Sequence, residues 1–139
     1  GFQILVESGL LPGVLLKNDS LNFMCEWTNL TVENNKTPFT NKFELNEKIP
    51  IPIANGDGRY FVDDETLKQL ERKNQIVFKY DQVVNGSSNQ IAGVCNEDGN
   101  VVGMMPHPER AAEPEINPHD NKPSSLIFES LLKKIGANN

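Results

Sequence analysis

One short stretch constrains the fold of this chain more than any other, because isoleucine and proline alternate in it. Residues 49–53 read Ile-Pro-Ile-Pro-Ile. Apolar residues at every second position are typical of a strand that buries one face. Pro50 and Pro52 have no backbone N–H and cannot donate a hydrogen bond to a neighbouring strand. The sequence therefore predicts a β-strand at the edge of a sheet.

The periodicity of apolar residues elsewhere predicts helices at both ends of a set of strands. A change of phase in the alternation predicts a β-bulge near Asn29. Residues 97–99, Glu-Asp-Gly, predict a hairpin turn between the last two strands. These elements favour a mixed α/β fold in a single domain. The predicted helices cover residues 2–9, 63–73 and 127–135, and the further predicted strands cover 21–32, 76–80, 90–95 and 100–105.

Composition excludes several classes of function. The chain has 139 residues and a net charge of -6, whereas nucleic-acid-binding proteins concentrate Lys and Arg on one face. No apolar run approaches the roughly 20 residues that cross a bilayer. Cys25 and Cys95 lie too far apart in sequence to suggest a disulfide framework. We therefore expect no nucleic-acid partner, no membrane span and a cytoplasmic location.

The first residues of the chain have the pattern of a helix that starts at once. Phe2, Leu5, Val6 and Gly9 fall at helical spacing, and the glycine is a typical helix stop. No capping residue precedes this helix. We therefore expect the domain to extend upstream of Gly1.

The most informative chemistry lies in residues 104–110, Met-Met-Pro-His-Pro-Glu-Arg. An apolar strand ends, and His107 follows between two prolines that fix the backbone. Glu109 comes two residues later, and a carboxylate can orient a histidine that acts as a base. Sites of α/β folds often lie at strand ends. Spacing alone leaves two alternatives open, a catalytic histidine or a solvated loop histidine.

Other reactive residues are better explained by structure. Cys95 lies in Gly-Val-Cys-Asn, which imitates a nucleophile elbow, but Glu97 stands where the elbow needs a small residue. A hairpin turn follows it rather than a helix, so we expect Cys95, like Cys25, to be a buried apolar residue. His119 is expected to be a solvated loop residue. His107, Glu109 and His119 match no familiar ligand spacing, and we predict no metal site.

His-Pro-Glu at a strand end, with Gly-Phe-Gln far upstream, resembles the triad-type (class I) glutamine amidotransferases. Their nucleophile lies in a Gly-x-Cys-x-Gly-x-Gln elbow between a strand and a helix. This pattern would place the cysteine two residues before Gly1. Residues 104–106, Met-Met-Pro, stand where other members usually have Gln-Phe. The segments 1–5, 32–39, 51–54, 91–96 and 103–110 resemble, more specifically, the glutaminase subunits that supply ammonia for phosphoribosylformylglycinamidine synthesis.

This resemblance implies a fold and a set of residue roles. Residues 1–139 would be the carboxy-terminal portion of one flavodoxin-like open-sheet domain. His107 would be the base and Glu109 its orienting carboxylate. The other implied roles are contacts with the bound glutamine, by Gly1, Gln3, Asn35 and Thr37. The helix after the elbow would direct N–H groups at the developing oxyanion and favour a thiolate. Asn55 stands where the family often has histidine.

The resemblance also implies partners. The substrate would be glutamine, and the ammonia would pass to a synthetase subunit that uses ATP and Mg, in a complex with a small accessory subunit. No cofactor is expected in this chain, and the 139 residues alone are expected to be inactive. Two alternatives remain, namely a non-catalytic scaffold or interaction fragment, and a glutaminase subunit from another pathway.

Overall fold

The computed structural model describes residues 1–16, 24–55, 58–82, 86–108 and 125–136. Within these residues the chain combines helices and strands, which confirms the predicted α/β class. No helix in these ranges is both long and apolar enough to cross a membrane. The helices are α1 (Phe2–Glu7), α2 (Asp64–Arg72) and α3 (Ser125–Lys134), with a 3₁₀ turn at Ser88–Gln90. The strands are β1 (Val14–Leu16), β2 (Met24–Val32), β3 (Lys48–Asn55), β4 (Arg59–Phe61), β5 (Ile76–Tyr80), β6 (Ile91–Cys95) and β7 (Val102–Met104).

Five of these strands form one antiparallel sheet in the order β3-β2-β5-β6-β7. The proline-containing strand β3 lies at an edge, as the sequence predicted. The strands β1 and β4 form a separate antiparallel pair, with Val14 opposite Phe61. The apolar periodicity did not predict this pair, since three-residue strands are too short to establish a period.

The predicted bulge near Asn29 is wrong. The strand β2 pairs with β3 in unbroken register from Met24 to Thr31. The change of phase has a simpler cause. Leu30 is fully buried, whereas Trp27 is only partly buried. Because Trp27 comes three positions before Leu30, it lies on the opposite face of the strand. An odd spacing therefore marks a strand with apolar residues on both faces.

The irregular pairing lies instead between β5 and β6. Its register shifts on either side of Phe78. Val77 and Phe78 are consecutive, yet both are fully buried in the same cluster. Two adjacent residues on one face are the mark of a β-bulge.

Two clusters of buried apolar side chains lie on the two faces of this sheet. Strand β7 and the two residues that flank it show the division, since Val102 and Met104 pack against one cluster while Val101 and Met105 pack against the other. The inner cluster consists of Leu30, Val32, Phe43, Ile49, Ile51, Ile53, Val77, Phe78, Tyr80, Ala92, Cys95 and Ile127 of α3. The outer cluster consists of Phe2, Val6, Leu11, Tyr60, Val62, Leu70, Ile76, Ile91 and Val94.

The helix ends follow the signals in the sequence. Gly9 (φ +83°) ends the first helix and Gly136 (φ +79°) the last, both in the left-handed region that glycine tolerates. Asp63 caps α2, and its carboxylate accepts a hydrogen bond from the Thr66 N–H at 2.8 Å. Hydrogen bonding by the Thr66 side chain, and after it by the Thr66 backbone N–H, lowers the pKa of Asp63. The three predicted helices are thus confirmed.

Candidate active site

His107 lies just beyond the end of β7. The N–H of Met105 donates to the Ala92 carbonyl at 3.0 Å, which extends the pairing with β6 by one residue. Pro106 is buried and His107 is partly buried. The backbone N–H of His107 donates to the carbonyl of Pro52 at 3.2 Å. Because β3 and β7 are the two outermost strands, this hydrogen bond shows that the sheet curls until its edges approach each other.

The prolines of β3 explain why the two edges meet without forming a ladder. Pro52 lies opposite Trp27 and Pro50 lies opposite Asn29 in the antiparallel register. A proline cannot occupy a pair that exchanges two hydrogen bonds, so both are non-hydrogen-bonded pairs and their carbonyls point away from β2. At these two positions the edge accepts hydrogen bonds but cannot donate them. His107 uses one of these acceptors.

The start of α1 lies against the strand that leads to His107. A Cβ atom at Gly103 would lie 2.6 Å from Cδ1 of Phe2 and 2.7 Å from Cδ1 of Leu11. Only glycine therefore allows the Phe2 ring to approach β7 this closely. Phe2 follows Gly1 directly, and Gly103 precedes His107 by four residues. The amino end of α1 and the histidine are thus linked through one packing contact and a short length of strand.

Gly1 and Gln3 occupy the first turn of α1. Gly1 is exposed, and its carbonyl accepts the Leu5 N–H at 3.1 Å. The Gln3 side chain is also exposed, and its amide nitrogen donates to the carboxylate of Glu7 at 3.1 Å. Gln3 and Glu7 line a cleft of about 390 Å³ between α1 and β1, together with Val6 and residues 13–15.

Asn35 and Thr37 lie in the loop between β2 and β3, and their side chains hold this loop together. The Asn35 amide donates to the Phe43 carbonyl at 3.2 Å. The hydroxyls of Thr37 and Thr40 lie 2.7 Å apart, and the Thr37 hydroxyl also accepts the Phe39 N–H at 3.2 Å. Thr37 is almost completely buried. These side chains therefore shape the loop.

The same loop is anchored to α3 by contacts that the sequence pattern does not predict. The side-chain amide of Asn41 donates to the Ser130 carbonyl at 2.9 Å, and the Lys42 N–H donates to the Ser130 hydroxyl at 3.0 Å. Ser130 is fully buried. A serine in an amphipathic helix signals no such partner, because the contact joins residues almost ninety positions apart.

A comparison with family models identifies the family of this chain. Residues 1–133 match the model of the CobB/CobQ-like glutamine amidotransferase domain. The chain belongs to this family. The resemblance to glutamine amidotransferases that His-Pro-Glu indicated is therefore confirmed.

A solved structure of PurLQS from Thermotoga maritima contains a similar chain. The two sequences are 51% identical, and the structures superpose with a TM-score of 0.84. The similarity covers 97% of this chain and 58% of the Thermotoga chain. This amidotransferase domain thus spans little more than half the length of that relative.

Cys95 of this amidotransferase domain is not placed to serve His107. It ends β6 opposite Val102, at the turn of the β6–β7 hairpin, and it is 2% exposed. His107 lies five positions beyond Val102, which is roughly 16 Å along the chain at about 3.3 Å per residue. Burial raises the pKa of the Cys95 thiol. The prediction that Cys95 is a buried apolar residue without an elbow helix is confirmed.

Several predicted residues lie outside the description of this amidotransferase domain. Glu109, His119 and residues 56–57 are not among the described residues, and neither are the side chains of Cys25 and Asn55. Among the described residues, no three His, Cys, Asp or Glu side chains lie close enough together to hold a metal ion. The roles of these positions stay predictions.

Proposed function

We propose that this chain is the carboxy-terminal part of a glutaminase subunit that hydrolyses glutamine and supplies ammonia for phosphoribosylformylglycinamidine synthesis. One observation carries the proposal. The first turn of α1 packs through Phe2 on Gly103, in the strand that leads to His107. A triad needs the elbow and the histidine on one side of the domain. PurLQS is a phosphoribosylformylglycinamidine (FGAM) synthase, and the 51% identity to it supports this pathway rather than another.

The reaction would use a cysteine two residues before Gly1 in the native polypeptide. His107 takes the thiol proton, and the thiolate attacks the side-chain amide carbon of glutamine. The C–N bond then breaks as His107 returns the proton to the departing ammonia, leaving a thioester that water hydrolyses to glutamate. Glu109 orients the imidazole and stabilises its positive charge. A positioned base of this kind contributes about 10²–10⁴-fold in rate.

Substrate recognition would be divided between α1 and the loop between β2 and β3. Gly1 and Gln3, just after the elbow, would contact the bound glutamine. Asn35 and Thr37 are engaged in hydrogen bonds within the loop. Their contribution would therefore be to hold the loop in the shape that receives the amino-acid end of the substrate.

The released ammonia would pass to a synthetase subunit that binds ATP and Mg, in a cytoplasmic complex that includes a small accessory subunit. The chain itself would then need no cofactor. This division predicts that synthesis from free ammonia does not depend on the residues of the glutaminase.

A reactive analogue of glutamine tests the proposal on the native polypeptide. A diazoketone analogue alkylates a catalytic thiol with loss of N₂, and peptide mass spectrometry locates the modified residue. We expect the label on a cysteine two residues before Gly1, protection by excess glutamine, and labelling about 100-fold slower after His107→Ala. Assays with the synthetase then identify the pathway.

Three outcomes would reject the proposal. Glutamine-protected label on Cys95 would make the hairpin cysteine the nucleophile. The absence of any glutamine-protected label would favour a non-catalytic scaffold. Glutamine-protected label without ammonia transfer to the synthetase of this pathway would assign the subunit to a different amidotransferase.

A further inference from the structure

The side chain of Tyr60 joins β4 to α1 and to the turn before β1. This residue lies in β4 and is 1% exposed. Its hydroxyl donates a hydrogen bond to the Pro12 carbonyl. Its ring stacks on Phe2, with the ring centroids 5.5 Å apart and the planes inclined by 24°. Burial raises the pKa of Tyr60 far above its ordinary value, so the hydroxyl remains a donor throughout the working pH range.

The backbone beside Tyr60 is shaped to admit the ring. Gly13 has φ +103°, in the left-handed region, and a Cβ atom there would lie 2.5 Å from Cε2 of the tyrosine. Glycine is therefore required at this position for two independent reasons. The turn before β1 fits closely around the tyrosine side chain.

Phe2 links this tyrosine to the strand of the histidine. One contact of the Phe2 ring is the stack on Tyr60, and another is the close approach to Gly103 of β7. The contacts thus run from Tyr60 through Phe2 to Gly103, four residues before His107. Phe2 immediately follows Gly1, the first residue of the elbow present in this chain. The position of the elbow relative to His107 depends on where the Phe2 ring is held.

We propose that Tyr60 is a positioning residue for the glutaminase reaction, which fixes the first turn of α1 relative to His107 by stacking on Phe2. This inference rests on the proposed function. Tyr60 does not take part in the chemistry. A misplacement of about 1 Å between reacting groups can cost about 100-fold in rate, so a contact that fixes the elbow contributes to catalysis from a distance.

Tyr60→Phe in the native polypeptide, assayed with the synthetase, tests this role. The substitution removes the hydroxyl that holds the ring to Pro12. We expect kcat with glutamine to fall about tenfold, since a partial displacement costs less than the about 100-fold of a full one. KM for glutamine and the rate with free ammonia should stay within about twofold, because neither substrate contacts Tyr60.

Tyr80→Phe is the matched control. Tyr80 is also buried, at 3% exposure, but it lies in the inner cluster. Its variant loses the same hydroxyl and should lose thermal stability without losing kcat. An equal fall in kcat for Tyr80→Phe would attribute the effect to general loosening, and a normal kcat for Tyr60→Phe would reject the positioning role.

Phe2→Leu supplies a second, independent test, since it removes the stack and leaves the Tyr60 hydrogen bond in place. It should also lower kcat, and the double variant with Tyr60→Phe should be no worse than Phe2→Leu alone, because both changes act through one contact. Additive losses would overturn the proposal. If Tyr60→Phe does not fold, the kcat of Phe2→Leu with glutamine tests the proposal by itself.

The His107→Ala variant separates the two proposals. Glutamine-driven activity that survives His107→Ala rejects the proposed function. An inactive His107→Ala variant beside a fully active Tyr60→Phe variant rejects only the positioning role of Tyr60.

Discussion

Cys95 and His107 belong to one β-hairpin, yet its two ends give them opposite environments. Cys95 closes β6 at the turn, where its N–H donates to the Gln75 carbonyl at 2.8 Å and its own carbonyl accepts the Gln75 side-chain amide at 2.9 Å. His107 follows β7 at the open end, where its backbone bonds to the far edge of the sheet.

This contrast shows that a reactive residue type does not identify a site. In an antiparallel hairpin the end of one strand lies beside the start of the next. Two residues that each end a strand are therefore separated by the full length of the hairpin. The thiol is buried with a raised pKa, whereas the histidine is only partly buried and follows the strand that packs against the start of α1. Chain direction and burial decide which residue can react.

The largest structural effect should follow from Gly103→Ala, at the centre of the hairpin. The new Cβ would meet Phe2 at 2.6 Å and Leu11 at 2.7 Å, and so would displace α1 from β7. Overpacking of this kind costs about 1–3 kcal/mol. Urea denaturation of the native polypeptide measures the loss, with Asp98→Ala in the exposed turn as the control. A Gly103→Ala variant as stable as the control would contradict the packing that links α1 to the hairpin.

A smaller effect is expected from Cys95→Ala. Losing a buried sulfur leaves a small cavity and should cost about 1 kcal/mol, while glutaminase activity should stay unchanged. In the native state the thiol should react slowly with iodoacetamide, since the thiolate is the reactive form and burial disfavours it. If Cys95→Ala lost activity without unfolding, Cys95 as well as His107 would be needed for the reaction, and the contrast between the two ends of the hairpin would be wrong.

The smallest effect concerns the ion pair at the turn. Lys73 donates to the Glu97 carboxylate and lowers the pKa of Glu97 from 4.5. Since the folded-state pKa is depressed, the stabilisation is present above pH 4.5 and disappears as pH falls through the lowered value. NMR titration should show the Glu97 pKa rising toward 4.5 in Lys73→Ala and unchanged in Lys133→Ala. An unchanged Glu97 pKa in Lys73→Ala would show that Lys73 does not lower it through this ion pair.

Local elements of the fold were predictable because neighbouring residues encode them. The edge position of β3 followed from two missing N–H groups, and the helices at both ends of the strands followed from the periodicity of their apolar residues. The contact between His107 and Pro52 was not predictable, since it requires the curl of the whole sheet. The supposed bulge at Asn29 failed for a related reason, because alternation cannot distinguish a bulge from a strand that is apolar on both faces.

The residues of the candidate site also divide into those that the sequence pointed to and those that only the fold brings together. The roles predicted for His107 and Gly1 followed from resemblance to a family motif, and they stay predictions. Asn35 and Thr37 were expected to contact the bound glutamine, but the hydrogen bonds by which they support the loop depend on partners that only the fold brings together. Tyr60 carried no signal in the sequence, since a tyrosine in a short strand is usually an ordinary apolar residue.

The measurement that tests the central claim most directly compares two nitrogen sources in the His107→Ala variant of the native polypeptide, in complex with its synthetase. Synthesis driven by glutamine should fall by at least about 100-fold, because the base is lost. Synthesis driven by free ammonia should remain close to that of the unmodified protein. Equal loss with both nitrogen sources would make His107 structural, and retention of glutamine-driven synthesis would contradict its role in catalysis.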